Sequence, residues 1–334
     1  MVRAQPRSAA DMGRSTRRQN VMESDGGSGT HQTDELEGRV AIVTGAGRGI
    51  GRATALALAA RGARVVVNDL GASLEGAGDD ATPAKEVVLE IEKAGGVAIA
   101  NADSVAEWTS ASRIVESALD HFGRIDLLVN NAGLSASSPI FEHDPELFDR
   151  VVRSHLHGTF YCMRAASPHM KERGYGRIVN VVSRAGLLGL PNQAAYGAGK
   201  GGVFGLTNVV SRDLGAFGIT VNAVNPAATE TRMVTNAIDH SRAQGGEAAK
   251  MAAGLLAALQ PPENIAALIT VLCLEGAAQF NGEIFYLEKD RVGLFDPLDI
   301  SQDSASEDGW TIASLSEAIS NFKPHALSAV YSDD

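Results

Sequence analysis

Apolar residues show no rhythm over the first 35 positions, and from Arg39 onward a rhythm sets in. Short β-branched runs alternate with longer alanine-rich stretches whose apolar positions recur at helical spacing. The runs Val40–Thr44, Arg64–Asp69, Val97–Asn101, Ile125–Asn130, Arg177–Ser183, Ile219–Asn225 and Glu283–Leu287 read as strands. The stretches near 49–61, 84–94, 105–121, 145–173, 193–217 and 262–275 read as helices. Strands that are apolar nearly throughout must be covered on both faces, which points to a parallel sheet between two helical layers. Right-handed crossovers wind such a sheet in both directions and open a ligand crevice at the carboxyl ends of the strands. The expectation is a single α/β domain with a seven-stranded parallel sheet flanked by helices, spanning residues 36–290.

Three segments break the rhythm. Residues 1–35 hold Arg3, Arg7, Arg14, Arg17 and Arg18 among Ser and Gly, and read as a disordered extension. A transit peptide is the other reading of this Arg-rich, acid-poor start, against which stands the lack of an apolar face, and Met22 is a second candidate start. Residues 231–260 are rich in Ala, Met and Leu around Gly245-Gly246 and close at Pro261-Pro262. A long excursion after a strand end is placed to act as a substrate lid, with a plain surface helix pair as the competing reading. In residues 291–334, Asp308-Gly309-Trp310 and Phe322-Lys323-Pro324 point to an ordered appendage.

Composition narrows the partners. A net charge of −11 disfavours nucleic acid, which needs a basic face, and disfavours anionic membranes. No apolar run approaches the roughly 20 residues of a membrane helix. With no secretory h-region, a cytoplasmic location is expected. Cys162 and Cys273 sit in apolar segments and read as core thiols in a reducing compartment. The eight histidines show no metal-ligand spacing, so no metal is expected.

Between the first strand and first helix lies Thr44-Gly45-Ala46-Gly47-Arg48-Gly49-Ile50-Gly51. Glycines let the backbone turn sharply and approach a pyrophosphate, which the helix N-terminus then faces with free N–H groups and partial positive charge. The spacing is G-x-x-x-G-x-G through Gly45, Gly49 and Gly51, because Ile50 takes the third glycine position of G-x-G-x-x-G. The domain therefore reads as Rossmann-type. Asp69 ends the second strand, with Leu70 after it, where a carboxylate accepts hydrogen bonds from adenosine ribose hydroxyls and repels a 2′-phosphate. Arg48 pulls the other way, toward that phosphate, and Asp69 is given more weight, so NAD is expected over NADP. Asp103, followed by Ser104, ends the third strand and is a candidate for the adenine or simply an acid at a helix N-terminus.

Downstream stand Ser183, Tyr196 and Lys200. Tyrosine ordinarily titrates near 10, too high for a base at neutral pH. An ammonium four residues on shares its helix face, and together with a nicotinamide cation it favours the phenolate. Tyr196 then takes an alcohol proton during oxidation and returns it during reduction, while Ser183, 13 residues earlier at a strand end, hydrogen-bonds the substrate oxygen.

The set Thr44-Gly45-x-x-x-Gly49-Ile50-Gly51, Asn130-Asn131-Ala132-Gly133, Ser183 and Tyr196-x-x-x-Lys200 resembles the short-chain dehydrogenase/reductase family over about residues 38–288. Val67-Asn68-Asp69-Leu70-Gly71, His155-Leu156-His157-Gly158-Thr159-Phe160 and Tyr175-Gly176-Arg177-Ile178 resemble the (3R)-hydroxyacyl-CoA dehydrogenase part of multifunctional β-oxidation enzymes. The resemblance implies that Lys200 also holds the nicotinamide ribose and that Asn131, Ala132 and Gly133 line the adenine-ribose side. It implies that Thr231 holds the nicotinamide amide, although Ala227 replaces the usual glycine ahead of it. His155 stands where many relatives carry an asparagine that helps hold a proton-relay water. It is a catalytic candidate on that ground, and otherwise a buried, hydrogen-bonded helix histidine. Where relatives end in Asp-Gly-Gly, the last strand here continues as Leu287-Glu288-Lys289-Asp290-Arg291.

The expected activity is NAD-dependent hydride transfer between a secondary alcohol or ketone and nicotinamide, in lipid or steroid metabolism. Met233, Val234, Ile238, Met251, Leu255 and Leu256 in the lid fit an apolar substrate such as a 3-hydroxyacyl thioester. Arg232, Arg242 and Lys250 are candidate contacts for CoA. A hydroxysteroid or terpenoid alcohol, an NADPH-dependent ketoreductase and a non-catalytic NAD-binding protein are the alternatives. The resemblance further implies a homotetramer or homodimer through the helices at 145–173 and 193–217.

Overall fold

The computed structural model describes residues 35–73, 76, 78–296, 298, 300–306 and 309–323. The extension 1–34, together with Asp308 and Pro324 of the appendage motifs, lies outside the described residues. The elements follow in the order β1 (Val40–Thr44), α1 (Gly49–Ala59), β2 (Arg64–Asn68), α2 (Thr82–Lys93), β3 (Val97–Asn101), α3 (Trp108–Phe122) and β4 (Leu127–Asn130). Then come α4 (Pro145–Val152), α5 (Gly158–Arg173), β5 (Gly176–Val181), α6 (Arg184–Leu187), α7 (Ala194–Gly215) and β6 (Ile219–Pro226). The chain continues with α8 (Arg232–Gln244), α9 (Gly246–Ala257), α10 (Pro262–Cys273), β7 (Ile284–Glu288), β8 (Arg291–Leu294) and α11 (Ile312–Ser320).

The sheet runs β3-β2-β1-β4-β5-β6-β7-β8. Its first seven strands are parallel, as the apolar runs require. Strand alternation splits the core in two. Ala41, Val43, Val65, Val67, Leu127 and Val129 face the layer that contains Leu58, Ile91 and Ile269. Val40, Ile42, Val66, Leu128 and Ile178 face the layer that contains Ile114, Cys162 and Met170. Cys162 and Cys273 are buried one in each core half, and burial pushes both thiols up to about 12. Strand order reverses between β1 and β4, and the crevice opens there at the carboxyl ends.

Two features depart from the expectation. The strand at the carboxy end does not continue through Arg291. It ends at Glu288, turns at Lys289-Asp290 with Lys289 at φ +49°, and returns as antiparallel β8, an eighth strand. The stretch 145–173 is not one α-helix, because a π-helical turn over Arg153–His157 separates α4 from α5. The segment 231–260 is a helix pair, α8 and α9, with a break at Gly245.

At the amino ends of the strands a charged cluster ties the sheet together. The Asp126 carboxylate is fully buried and accepts from Val40 N (2.9 Å) and Arg124 Nε (2.7 Å), with Arg39 alongside at 3.5 Å. Arg39 and Arg177 both stack on the Tyr175 ring, and each pairs with Glu275.

Candidate active site

The glycine turn is crowded on every side by other parts of the site. Gly45 and Gly49 lie in the left-handed region at φ +64° and +52°. A methyl group at Gly45 would come within 2.8 Å of Ala132 Cα, at Gly47 within 2.8 Å of Asp69 Oδ2, and at Gly49 within 3.0 Å of Thr231 Cγ2. Glycine therefore lets three separate segments converge on one turn. Arg48 stands at the N-cap of α1 without a side-chain cap bond, which leaves the first-turn N–H groups uncapped by side chain. Thr44 and Asn131 lock the floor. Thr44 Oγ1 accepts from Asn131 N and Ala132 N, both at 3.1 Å. Asn131 Nδ2 donates to Thr44 O (3.0 Å) and Gly45 O (3.1 Å).

Asp69 is aimed by backbone donors, with Gly47 N on Oδ2 and Gly71 N on Oδ1, each at 2.7 Å. Asp103 is held by Asn101 Nδ2 (3.0 Å), Ser110 Oγ (3.2 Å) and the Arg113 guanidinium. Ser104 Oγ accepts from Ala106 N (3.1 Å), and Ser104 N donates to Ser110 Oγ (2.9 Å). Asp103 and Ser104 thus organise the approach to α3 while both also line the cleft.

The catalytic candidates stand on the π-helical turn, at the N-cap of α6 just beyond the end of β5, and on α7. Ser183 caps α6, its Oγ accepting from Ala185 N at 3.2 Å. Tyr196 and Lys200 lie one turn apart on α7. Lys200 Nζ donates to Val181 O at 2.6 Å and lies 5.9 Å from the centre of the Tyr196 ring. Burial pulls the Lys200 ammonium down to about 7. His155, within the π-helical turn, packs perpendicular to the Tyr196 ring with centroids 5.1 Å apart. Thr231 caps α8 through Val234 N at 3.4 Å. Ala227 needs no glycine geometry: its φ is not positive, and its N–H pairs with Leu287 O at 3.0 Å.

One cleft of about 1380 Å³ is lined by Ser183, Tyr196, Lys200, His155, Asp69 and Thr231. Gly45, Arg48, Gly49, Ile50 and Leu70 share it, as do Asn131, Ala132 and Gly133. Gly51 stands behind its wall, buried against Gly45. Of the apolar lid residues, Met233, Val234 and Leu255 line the cleft, whereas Ile238 is buried outside its lining and Leu256 is 46% exposed. The Met251 side chain lies outside what the structure describes. Arg232 lines the cleft, but Arg242 and Lys250 do not, and Arg242 sits 3.9 Å from Asp239 instead.

The residues fit a dinucleotide. A glycine cradle that a Cβ would fill, a helix start without a side-chain cap and an oriented carboxylate stand at one end, and a tyrosine–lysine pair at the other. The far wall of the cleft carries no sequence motif. Tyr286, Glu288 and Arg291 of the β7–β8 hairpin line the cleft, and the Arg184 guanidinium lies 4.6 Å over the Tyr286 ring. The loss of the usual strand ending was the one available signal.

Residues 39–242 match the family model described as short chain dehydrogenase. A peroxisomal hydratase-dehydrogenase-epimerase of Saccharomyces cerevisiae is 44% identical over 200 residues, which is 60% of this chain and 22% of the yeast protein. The chain thus spans less than a quarter of that relative. A hydroxyacyl-CoA dehydrogenase of Mycobacterium tuberculosis is 33% identical over 306 residues, 88% of this chain and 91% of that protein. The crystal structure of a short chain dehydrogenase from Mycobacterium avium superposes with a TM-score of 0.72 at 35% identity, covering 87% of this chain and 98% of that one. Among the described residues no helix is long and apolar enough to cross a membrane.

Proposed function

The chain belongs to the short chain dehydrogenase family, and from that premise we propose that it oxidises a secondary alcohol, or reduces the matching ketone, with NAD, on a 3-hydroxyacyl-CoA type of substrate. Residues 36–290 form the catalytic domain in this reading, with 231–260 as its lid and 291–334 as an appendage. The observation that carries it is the shared cleft of Ser183, Tyr196, Lys200 and the glycine turn. The nicotinamide cofactor, when bound, accepts or supplies the hydride.

The chain's own residues do the rest. Gly45, Gly49, Ile50 and the start of α1 receive the pyrophosphate. Asp69, fixed by two N–H donors, takes the ribose hydroxyls, with Leu70, Asp103, Ser104 and the turn Asn131–Gly133 around the adenosine side. Ser183 Oγ donates to the substrate oxygen. Tyr196 accepts the alcohol proton as the carbinol C–H bond breaks, and returns it in the reverse direction. Lys200, buried and bonded to Val181 O, supports the phenolate and the nicotinamide ribose, and Thr231 supports the amide.

The name of the Mycobacterium tuberculosis relative, a hydroxyacyl-CoA dehydrogenase, favours an acyl thioester, and Met233, Val234 and Leu255 give the cleft an apolar side to match. Arg48 lines the cleft beside Asp69 and keeps an NADPH-dependent reductase as the second reading. Assembly as a dimer or tetramer through α5 and α7 accords with exposed Phe160 and Val209 on those helices.

The test is Tyr196→Phe. Turnover should fall by about 10²–10⁴-fold with dinucleotide binding kept, and a variant as active as the parent ends the mechanism. Comparing kcat/KM for NADH and NADPH decides the coenzyme, and a preference for NADPH overturns the role given to Asp69. A screen of 3-hydroxyacyl-CoAs, hydroxysteroids and cyclic alcohols decides the substrate.

A further inference from the structure

The imidazole of His155 is buried at 2% exposure and touches both halves of the site. Its Nε2 lies 2.7 Å from Leu134 O and 3.2 Å from Leu134 N. A single ring nitrogen cannot serve both, and the shorter approach decides. A bare lone pair 2.7 Å from a carbonyl oxygen is repulsive, so Nε2 carries the hydrogen and donates to Leu134 O. Nδ1 is then the unprotonated nitrogen, and it is buried with no hydrogen-bond partner. A proton placed there would be a buried, unpartnered donor on a cation, which costs far more than an unpartnered lone pair.

The ring also fills a gap between two glycines. A methyl group at Gly133 would lie 2.5 Å from Nδ1 and 2.9 Å from Nε2, and nearer still to Cε1. One at Gly199, on α7, would lie 2.9 Å from His155 Cβ. The imidazole is thus wedged between the cofactor-side turn Gly133-Leu134 and the helix that carries Tyr196 and Lys200, with its plane perpendicular to the Tyr196 ring. Those two groups on α7 are the titratable side chains facing it. Burial, and then the Lys200 ammonium, hold its pKa down to about 3, against a raising effect of the Leu134 hydrogen bond.

We propose that His155 is a positioning residue, a permanently neutral spacer that sets the distance between the Gly133-Leu134 turn and Tyr196 and carries no proton during turnover. The proposal rests on Tyr196 being the acid/base group.

The test has two arms. In histidine-labelled protein, with the His155 signal assigned by its loss in His155→Gln, nitrogen NMR from pH 5 to 8 should show an Nε2–H tautomer that does not titrate. A titration in that range that coincides with a limb of the kcat/KM profile overturns the proposal. In the second arm, His155→Ala should lower kcat by about 10–100-fold, the scale of a misplaced reacting group. His155→Gln, whose amide N–H can reach Leu134 O, should recover most of that loss and keep the parent's pH midpoints. A Gln variant as impaired as Ala, or one that loses a limb of the profile, overturns it. Where the Ala variant does not fold, the titration and the Gln profile decide alone. Tyr196→Phe separates the two readings. If it stays active, the acid/base assignment fails. If it is inactive while His155→Ala matches the parent, only the spacer fails.

Discussion

Gly51→Ala is the sharpest probe of the cofactor turn, because Gly51 is there for space and not for conformation. Its φ is not among the positive values, so alanine suits the backbone of α1. The added methyl, however, would fall well inside van der Waals contact of Gly45 O, 2.8 Å from Gly45 C and 2.6 Å from Asn131 Nδ2. A carbon needs about 3.5 Å from such atoms, so the turn must move by roughly an ångström. None of the three atoms is the free end of a flexible chain. Overpacking of this kind costs about 1–3 kcal/mol. The movement also strains the bonds from Asn131 Nδ2 to Thr44 O and Gly45 O, each worth about 1 kcal/mol. The sum is about 3–5 kcal/mol, which lowers Tm by about 6–10 °C at roughly 2 °C per kcal/mol. Thermal denaturation with and without dinucleotide measures it, and the cofactor's stabilising increment should shrink as well. The control is Gly205→Ala within α7, where a methyl meets nothing within 4 Å. There alanine should raise stability by about 0.5–1 kcal/mol. If Gly51→Ala melts within a degree of the parent, or both substitutions shift Tm in the same direction, the steric reasoning is wrong.

Acid should destabilise the fold through His155. The folded ring titrates near 3 and the unfolded one near 6.5, so between those values only the unfolded chain binds the proton. Stability is then lost as pH falls through that window, by at most about 4–5 kcal/mol in all, and urea midpoints from pH 7 to 4 should show a slope reduced by one proton in His155→Gln. Asp126→Ala removes the acceptor of Val40 N, Arg124 and Arg39 at the far end of the sheet from the cleft. With both arginines partly exposed, the loss should be about 2–4 kcal/mol by urea denaturation, and kcat at 25 °C should stay at the parent value; a change below 1 kcal/mol would show that the cluster is ornamental to stability.

The parallel strands were legible because burial on both faces leaves an almost unbroken apolar run, and Val40–Thr44 appears at the residues expected. Ends drifted where polar residues close a strand inside the core, as at Asn68, whose amide bonds Asn101 and Asp103 instead of solvent. The glycines, Asp69, Tyr196 and Lys200 were legible because each chemistry needs its residue type at a set place along a β–α unit. Strand β8 was not: it is four residues long and mostly exposed, and its turn uses Lys289 at positive φ, where Asn or Gly would have announced a hairpin. Nor could spacing say that Ile238 turns inward and away from the cleft, since the register of α8 is set by packing on α9.

The π-helical turn makes the length of this chain exact in one place. An extra residue in a helix turns everything after it by about 100°. By that offset α4 can lie on α7 while α5 lies on α3, although both read as one continuous stretch. Deleting any one residue between Arg153 and His157 would restore plain α-helix and swing Cys162, Met163, Ala166 and Met170 out of the core they fill. Insertions and deletions among relatives should therefore avoid this helix, and an alignment that opens a gap inside it has misplaced one half of the site against the other.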